Sequence, residues 1–279
     1  MVYYPIDINK AVKRECERRR YSNKTISTYL YCINRFLKWS RKELGKISKK
    51  DVREFLEALS EKGMAGKTMN VYHMAIKFLF EDVLHKKMWI NIRYSKENKK
   101  LPVVLDKDEI KRLINSIKNN KHKLMVELMY GSGMRVSELT NLCIKDLEID
   151  KGFGFVRKGK GNKDRLFLIP SRLKDKIKDL IKKEKLESEM FLFCSLREKN
   201  YDNRTLNEII KKACKKAKIN KKVSCHTLRH SFATHLIEQG SSVSEVQSLL
   251  GHKSPETTFT YLHLLKPNMI KVKSPLDIL

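Results

Sequence analysis

Acidic side chains in this chain are far too few to balance the basic ones. Its 279 residues include 32 Asp and Glu against 60 Lys and Arg, which gives a formal net charge of +28. The excess is spread along the sequence, because residues 1–100 carry 24 basic and 11 acidic side chains and residues 101–279 carry 36 and 21. A surplus of this size predicts a polyanionic partner, and nucleic acid fits because each neutralised phosphate releases counterions. Solubility or a lysine-rich genome is the alternative explanation of the charge alone.

Long apolar runs are missing as well. No stretch approaches the roughly 20 consecutive apolar residues that a membrane-spanning helix needs. The N-terminal sequence MVYYPIDINK also lacks the apolar core of a signal peptide. We therefore expect no membrane partner and a cytoplasmic location. With 41% hydrophobic residues the chain can still bury a sizeable core, and its length favours two domains.

The spacings typical of metal sites are absent. There is no C-x-x-C pair, and His226 and His230 lack the glutamate of an H-E-x-x-H motif. The cysteines are scattered, as expected of reduced thiols. The six are Cys16, Cys32, Cys143, Cys194, Cys214 and Cys225. These absences argue against a structural zinc site, and we expect neither a metal nor another cofactor.

The apolar periodicity of the first 90 residues predicts a module of four helices. Apolar side chains recur there at spacings of three and four. Ser22 or Asn23 would cap the second helix, and Ser48 with Asp51 resembles a capping box at the start of the third. The four predicted helices run at about 8–20, 24–40, 48–63 and 68–84.

A polar, lysine-rich stretch separates this module from the rest of the chain. The sequence IRYSKENKKLP ends at Pro102 and has the composition of an exposed linker. We place the linker at residues 93–104. The N-terminal domain then covers residues 1–92, and the C-terminal domain covers residues 105–279.

The C-terminal domain is predicted to be helical with one β hairpin. The apolar run LMVELMY ends at a Gly-Ser-Gly turn, after which a new helix begins near Arg135. Strands at 153–157 and 165–170 flank the basic turn KGKGNKD. Further helices are predicted at 171–187, 204–218, 226–239, 244–250 and 256–263. The predicted fold class is therefore α+β, mainly α with a small β hairpin or sheet.

Several residues of this domain fit the cleavage of a phosphodiester without a metal. That reaction needs a nucleophile, cations around the phosphate, and an acid that protonates the departing oxygen. Arg135, at the start of a helix, can bind two phosphate oxygens through its planar guanidinium group. His226 and Arg229 are three residues apart, so one helix face presents both to the same anion.

Tyr261 is the candidate nucleophile. It follows His252 by nine residues, a spacing that lets a short turn and a helix bring the phenol beside the imidazole. Taken alone, a tyrosine at such a position is more often an ordinary half-buried aromatic. Lys160, in the turn of the hairpin, is by itself one solvated lysine among several, although a long ammonium side chain can act as a proton donor.

In this order the residues resemble those of the tyrosine recombinases, most closely the Xer-type recombinases of bacteria and archaea. The resemblance covers nearly the whole chain and includes the segments G-x-R-x-x-E-L, G-K-G-N-K, H-x-L-R-H and L-G-H, followed by the tyrosine. It places the catalytic set at Arg135, Lys160, His226, Arg229, His252 and Tyr261. Glu138 and His230 stay outside that set. Glu138 is expected to fix the helix that begins near Arg135, and His230 is expected to support the neighbouring Arg229 or to pack in the core.

The resemblance also implies a mechanism. Tyr261 would attack a phosphate and retain the 3′ end, while the strand leaves with a free 5′ hydroxyl. Arg135 and Arg229 would neutralise the phosphate, and Lys160 would protonate the leaving oxygen. His226 would help to accept the tyrosine proton, and His252 would donate a hydrogen bond to a phosphate oxygen. Neither ATP nor a metal is required.

The same resemblance implies the partners. The N-terminal module would be a core-binding, SAM-like domain that contacts double-stranded DNA opposite the catalytic domain. Four protomers would assemble on two DNA sites, and the tail that begins at Pro267 would dock into a neighbouring protomer. Candidate anchors in this tail are Ile270, Val272, Leu276, Ile278 and Leu279.

Chromosome dimer resolution is the favoured role, because the chain shows no additional arm-binding domain. An integrase or resolvase of a mobile element uses the same chemistry and is the alternative. A type IB-like topoisomerase, which shares catalytic residues of this kind, fits the docking tail less well. A DNA-binding protein without catalysis fits poorly with the intact pair Arg135 and Arg229 and with Tyr261.

Overall fold

The computed structural model describes residues 7–86, 101–157, 164–194 and 200–251. The chain divides into two units, Met1–Lys99 and Lys100–Leu279. Most of the described residues are helical, so the predicted fold class is confirmed. None of the helices in these ranges is long and apolar enough to cross a membrane. The linker expected at 93–104 lies mostly outside the described ranges, and the bounds of the two domains stay a prediction.

The first unit contains the four predicted helices. They are α1 (Ile8–Arg18), α2 (Asn23–Ser40), α3 (Lys49–Glu61) and α4 (Gly66–Lys77). Ser22 caps α2, because its hydroxyl accepts a hydrogen bond from the Thr25 backbone N–H at 3.1 Å. The Asp51 carboxylate accepts the Ser48 backbone N–H at 2.8 Å at the start of α3. Both predicted caps are therefore confirmed.

The end of the fourth helix differs from the prediction of one regular helix to Leu84. Residues Phe78–Val83 continue α4 as a π-helix, and the Leu84 N–H donates to the carbonyl of Leu79 at 2.9 Å. Apolar periodicity does not reveal this change, because Phe78, Leu79 and Phe80 are all buried. The core of this unit is largely aromatic, with Phe36 and Phe55 in edge contact at 5.2 Å between ring centroids.

The second unit combines seven described helices with a small sheet. The helices are α5 (Lys107–Asn115), α6 (Asn120–Ser132), α7 (Val136–Thr140), α8 (Lys174–Glu184), α9 (Asn203–Lys216), α10 (Cys225–Glu238) and α11 (Val243–Leu250). The strands are β1 (Leu147–Glu148), β2 (Phe153–Val156) and β3 (Arg165–Leu168), antiparallel in the order β1-β2-β3. Strand β1 was not predicted, since two residues are too short to show an alternating pattern. The helix expected at 256–263 lies outside the described residues.

Helix α6 is the centre of the second unit. Six consecutive side chains, 124–129, are buried, because α5, α7, α8, α9, α10 and β3 all pack against this helix. The helix ends where Gly133 adopts a left-handed conformation with φ of +62°. That turn directs the chain into α7 and places Arg135 at its N-terminus. The tight end of α6 therefore positions the first candidate arginine.

Gly133→Ala should destabilise the second unit. A Cβ atom at Gly133 would lie 2.3 Å from the Phe232 ring and 2.9 Å from Leu250, in a backbone with φ of +62°. We expect the free energy of unfolding to fall by about 2 to 5 kcal/mol, from left-handed backbone strain and overpacking. Urea denaturation followed by circular dichroism measures this loss.

Gly240→Ala is the matched control. Its φ is also positive, at +96°, but a Cβ atom added there would have no neighbour within 4 Å. It should lose only the backbone contribution, about 1 to 2 kcal/mol. Equal losses in the two variants would contradict the close packing assigned to Gly133.

Candidate active site

Arg135 is fixed at the start of α7 by the glutamate three residues later. Glu138 accepts hydrogen bonds from the Arg135 backbone N–H at 2.9 Å and from its Nη1 at 2.6 Å. The second guanidinium nitrogen, Nη2, lies 3.5 Å from the carbonyl oxygen of Gly251. The Arg135 side chain keeps 21% of its surface exposed. It is therefore ordered by the protein and still accessible from solvent.

Arg229 lies on α10 and is buried. Its Nη1 donates to the carbonyl of Gly133 at 2.7 Å, and its Nη2 donates to the carbonyl of Leu250 at 2.5 Å. These carbonyls belong to the C-terminal ends of α6 and α11, where helices leave backbone acceptors unsatisfied. Arg229 thus joins α10 to the ends of α6 and α11 at one point. Its Nη1 is 3.9 Å from Glu138 Oε2.

Glu138 is the acidic centre of this cluster. Its side chain is 5% exposed, and a third arginine, Arg165 of β3, donates from Nη2 to Glu138 Oε2 at 2.5 Å. Burial acts to raise the pKa of Glu138. The charge of Arg165 and hydrogen bonds from Arg135 and Arg165 outweigh it and lower the pKa below its usual value of 4.5. Glu138 is therefore ionised at neutral pH.

His226 lies in the first turn of α10, close to both predicted arginines. Partial desolvation of the ring and the positive charges of Arg229 and Arg135 lower its pKa below the usual 6.5. The imidazole is consequently neutral at pH 7 and can accept a proton. The neighbouring His230 has its pKa lowered to about 4 by burial, His226 and Arg229, so it is neutral as well.

The structure brings together three of the six residues proposed from the sequence, namely Arg135, His226 and Arg229. Lys160, His252 and Tyr261 lie outside the described residues. Glu138 does what was expected of it, since it holds the arginine at the start of α7. Sequence reasoning missed Arg165. The sequence indicates only that Arg165 is one of several basic residues in and beside the predicted hairpin turn.

The charges of this cluster suit the binding of an anion. Among the described residues, three guanidinium groups, those of Arg135, Arg165 and Arg229, lie against one carboxylate, that of Glu138, and these four side chains sum to a charge of about +2. Among the residues that the structure describes, no group of three His, Cys, Asp or Glu side chains could hold a metal ion. Phosphate oxygens, like those of a carboxylate, match the geometry of planar guanidinium donors.

Matches to known proteins fall on both units of the chain. The model of the phage integrase family matches residues 103–267, which include the whole cluster. The chain belongs to the phage integrase family. The N-terminal unit also fits this family, because the model of the phage integrase N-terminal SAM-like domain matches residues 8–90.

Similar proteins of this family are named as tyrosine recombinases. XerA from Pyrococcus furiosus is 38% identical over 245 residues, which cover 86% of this chain and 83% of that protein. A crystal structure of XerA recombinase is 30% identical, with a TM-score of 0.56, and the match covers 95% of this chain and 96% of that one. The chain is a tyrosine site-specific recombinase, an enzyme that breaks and rejoins DNA strands, as the sequence motifs predicted.

A second solved structure shares the fold. XerH bound to its palindromic difH substrate, in a post-cleavage complex, has a TM-score of 0.74 at 24% identity. The match covers 96% of this chain and 85% of XerH. The mainly helical two-unit architecture is therefore that of the phage integrase family.

Glu138→Gln should loosen the cluster, because it leaves buried arginines without a carboxylate. We expect a loss of about 3 to 5 kcal/mol in the free energy of unfolding at neutral pH. The folded-state pKa of Glu138 is lowered, so the wild-type ion pairs contribute fully above about pH 4.5 and are lost as the pH falls through the folded value. The difference in the free energy of unfolding between wild type and Glu138→Gln should therefore decrease at acidic pH. Urea denaturation at several pH values measures this difference.

Glu127→Gln provides the control for burial. Glu127 is 7% exposed, and its ion-pair partner among the described residues is the half-exposed Lys176 at 2.9 Å. Its loss should be about 1 kcal/mol, with DNA cleavage unchanged. If both glutamine variants lose the same free energy of unfolding and both still cleave DNA, Glu138 is not needed to hold the arginine cluster together.

Proposed function

We propose that this recombinase exchanges strands at specific DNA sites through a 3′-phosphotyrosyl intermediate and serves in chromosome dimer resolution. The observation that carries the catalytic part is that Arg135 and Arg229 both lie against buried Glu138, with His226 within the influence of the charges of these two arginines. Chromosome dimer resolution is supported by similarity to XerA proteins over most of the chain. The proposed catalytic set is Arg135, Lys160, His226, Arg229, His252 and Tyr261.

The two predicted arginines fit the stabilisation of a phosphate whose negative charge increases during attack. Such stabilisation is most effective when the donors are already oriented, so that no reorganisation occurs in the reaction. Arg135 has that property through Glu138, and Arg229 has it through the carbonyls of Gly133 and Leu250. Arg135 is the more exposed of the two and is the better placed to contact DNA directly.

The proposed cleavage step has two proton transfers. In the cleavage step the Tyr261 oxygen forms a bond to phosphorus, and the bond from phosphorus to the 5′ oxygen breaks. Neutral His226 accepts the tyrosine proton, and Lys160 supplies a proton to the departing oxygen. His252 donates a hydrogen bond to a phosphate oxygen. A 5′ hydroxyl of the partner strand reverses the step, so neither ATP nor a metal is consumed.

Double-stranded DNA is the proposed partner of both domains. The chain carries a net charge of +28, and its N-terminal 100 residues share that excess. We infer that residues 1–92 form the core-binding domain, residues 93–104 the linker, and residues 105–279 the catalytic domain. Four protomers would form a synapse on two DNA sites.

A covalent adduct tests the chemistry. Wild-type protein incubated with a nicked DNA substrate should give a protein–DNA complex that survives denaturant, because the phosphotyrosine is a covalent bond. Tyr261→Phe should give none while binding DNA with unchanged affinity. An adduct formed by the phenylalanine variant would exclude Tyr261 as the nucleophile. Mapping the adducts on the host chromosome would separate a chromosomal site from the ends of a mobile element.

Deletion of residues 267–279 tests the assembly. The truncated protein should bind a single DNA site as wild type does, but it should fail to pair two sites, because the proposed docking segment is removed. Gel-shift and paired-site assays measure the two properties separately. Unchanged recombination by the truncated protein would rule out the docking role of the tail.

A further inference from the structure

We propose that Arg165 is a positioning residue for the cleavage step, which holds the base of the hairpin, the Arg135–Glu138 pair and the end of α11 in one arrangement. This inference rests on the proposed function. Arg165 is the first residue of β3, and its side chain is 9% exposed. Because so little of it is accessible, we infer that Arg165 acts through the residues that it contacts.

The contacts of Arg165 reach three different elements. Nη2 donates to Glu138 Oε2 of α7 at 2.5 Å, and Nη1 donates to the carbonyl of Leu249 in the last turn of α11 at 2.5 Å. Nη1 also lies 3.3 Å from the carbonyl of Leu166 in its own strand. A planar guanidinium can satisfy acceptors in different directions at once, which a single ammonium cannot do with the same fixed geometry.

The aliphatic part of Arg165 packs against the residue that follows α11. A Cβ atom at Gly251 would lie 2.7 Å from Arg165 Cδ, and Gly251 has φ of +61°. Only glycine therefore allows this approach without strain. Arg165 therefore packs against the C-terminal end of α11 through its aliphatic part as well as through Nη1.

Arg165 is also coupled to the ionisation of Glu138. In the part of the chain that the structure describes, the charged groups that face this carboxylate are Arg135 from the start of α7, Arg165 from β3 and Arg229 from α10. Burial acts to raise the pKa of Glu138, and the charge of Arg165 is the strongest influence that lowers it. Without Arg165, the effect of burial on the pKa of Glu138 would be less opposed, and the pKa would rise. The carboxylate would then take up a proton at a higher pH and would bind Arg135 less strongly.

One nitrogen of the Arg165 guanidinium group lacks a hydrogen-bond partner in the described part of the chain. This atom, Nε, is buried. A buried donor without an acceptor is unfavourable, and such groups in folded proteins call for an explanation. The geometry of Nη1 and Nη2, which hold both Glu138 and α11, supplies that explanation.

The test compares Arg165→Met with Arg172→Met, which removes the same charge from an exposed position. The rate constant of adduct formation is measured with saturating nicked DNA at about pH 7.5 and about pH 5.5. We expect Arg165→Met to bind DNA as the control does but to cleave about ten- to a hundredfold more slowly. Its rate should also fall at a higher pH than that of the control, because Glu138 becomes protonated earlier.

Arg165→Lys is the second variant and keeps the proposal testable if the methionine variant does not fold. The lysine can retain a positive charge beside Glu138 but cannot hold Leu249 as well. We expect its pH profile to resemble that of wild type while its rate constant stays reduced. A lysine variant equal to wild type in rate would overturn the positioning role.

Two further outcomes separate the hypotheses. If Arg165→Met folds and matches Arg172→Met in rate and pH profile, the positioning role is wrong and the proposed function stands. If Arg165→Met loses DNA affinity but cleaves normally at saturation, Arg165 is a DNA contact and the positioning role is again wrong. If wild type forms no adduct, the proposed function itself fails, and the positioning role fails with it.

Discussion

A carboxylate removed from water is stable as an anion only when cations or hydrogen-bond donors surround it. In this chain Glu138 has that environment, with Arg135 from its own turn, Arg165 from the sheet and Arg229 from α10. Each arginine in turn would be unfavourable in a buried site without the carboxylate. The four side chains therefore form a mutually dependent charge centre, and the second unit must fold around it for the predicted arginines to meet.

The ends of two helices complete this centre. Arg229 donates to carbonyls at the C-terminal ends of α6 and α11, and Arg165 donates to the carbonyl of Leu249. Helix C-termini carry unsatisfied acceptors and a partial negative charge, so they stabilise buried guanidinium groups. Gly133 and Gly251 end these helices in left-handed conformations and leave room for the neighbouring side chains. Gly251 thus allows the end of α11 to approach Arg165 closely, and Gly133 allows the end of α6 to pack against Phe232 and Leu250.

The short-range features of the fold could be predicted because they depend on local interactions. The capping residues Ser22 and Ser48, the helical periods and the glycine turn at Gly133 all act within a few residues. Strand β1 and the π-helix at Phe78–Val83 were not predicted, because the strand is too short to show a pattern and the π-helix buries three consecutive residues. In the site, the residue types and spacings identified Arg135, His226 and Arg229. They gave no means of selecting Arg165 among the many cations of the hairpin region.

The sequence by itself determined the helices, the basic hairpin, the excess of positive charge and the order of the catalytic motifs. Only the tertiary structure decided that Glu138 faces three arginines, that the Arg165 side chain is 9% exposed while Arg172 is an exposed residue, and that His226 lies near two positive charges. The physical reason is that burial and charge proximity depend on residues far apart in the chain. Desolvation and Coulomb interactions act through space, so the ionisation of Glu138 and His226 follows from the packing of α7, β3, α10 and α11.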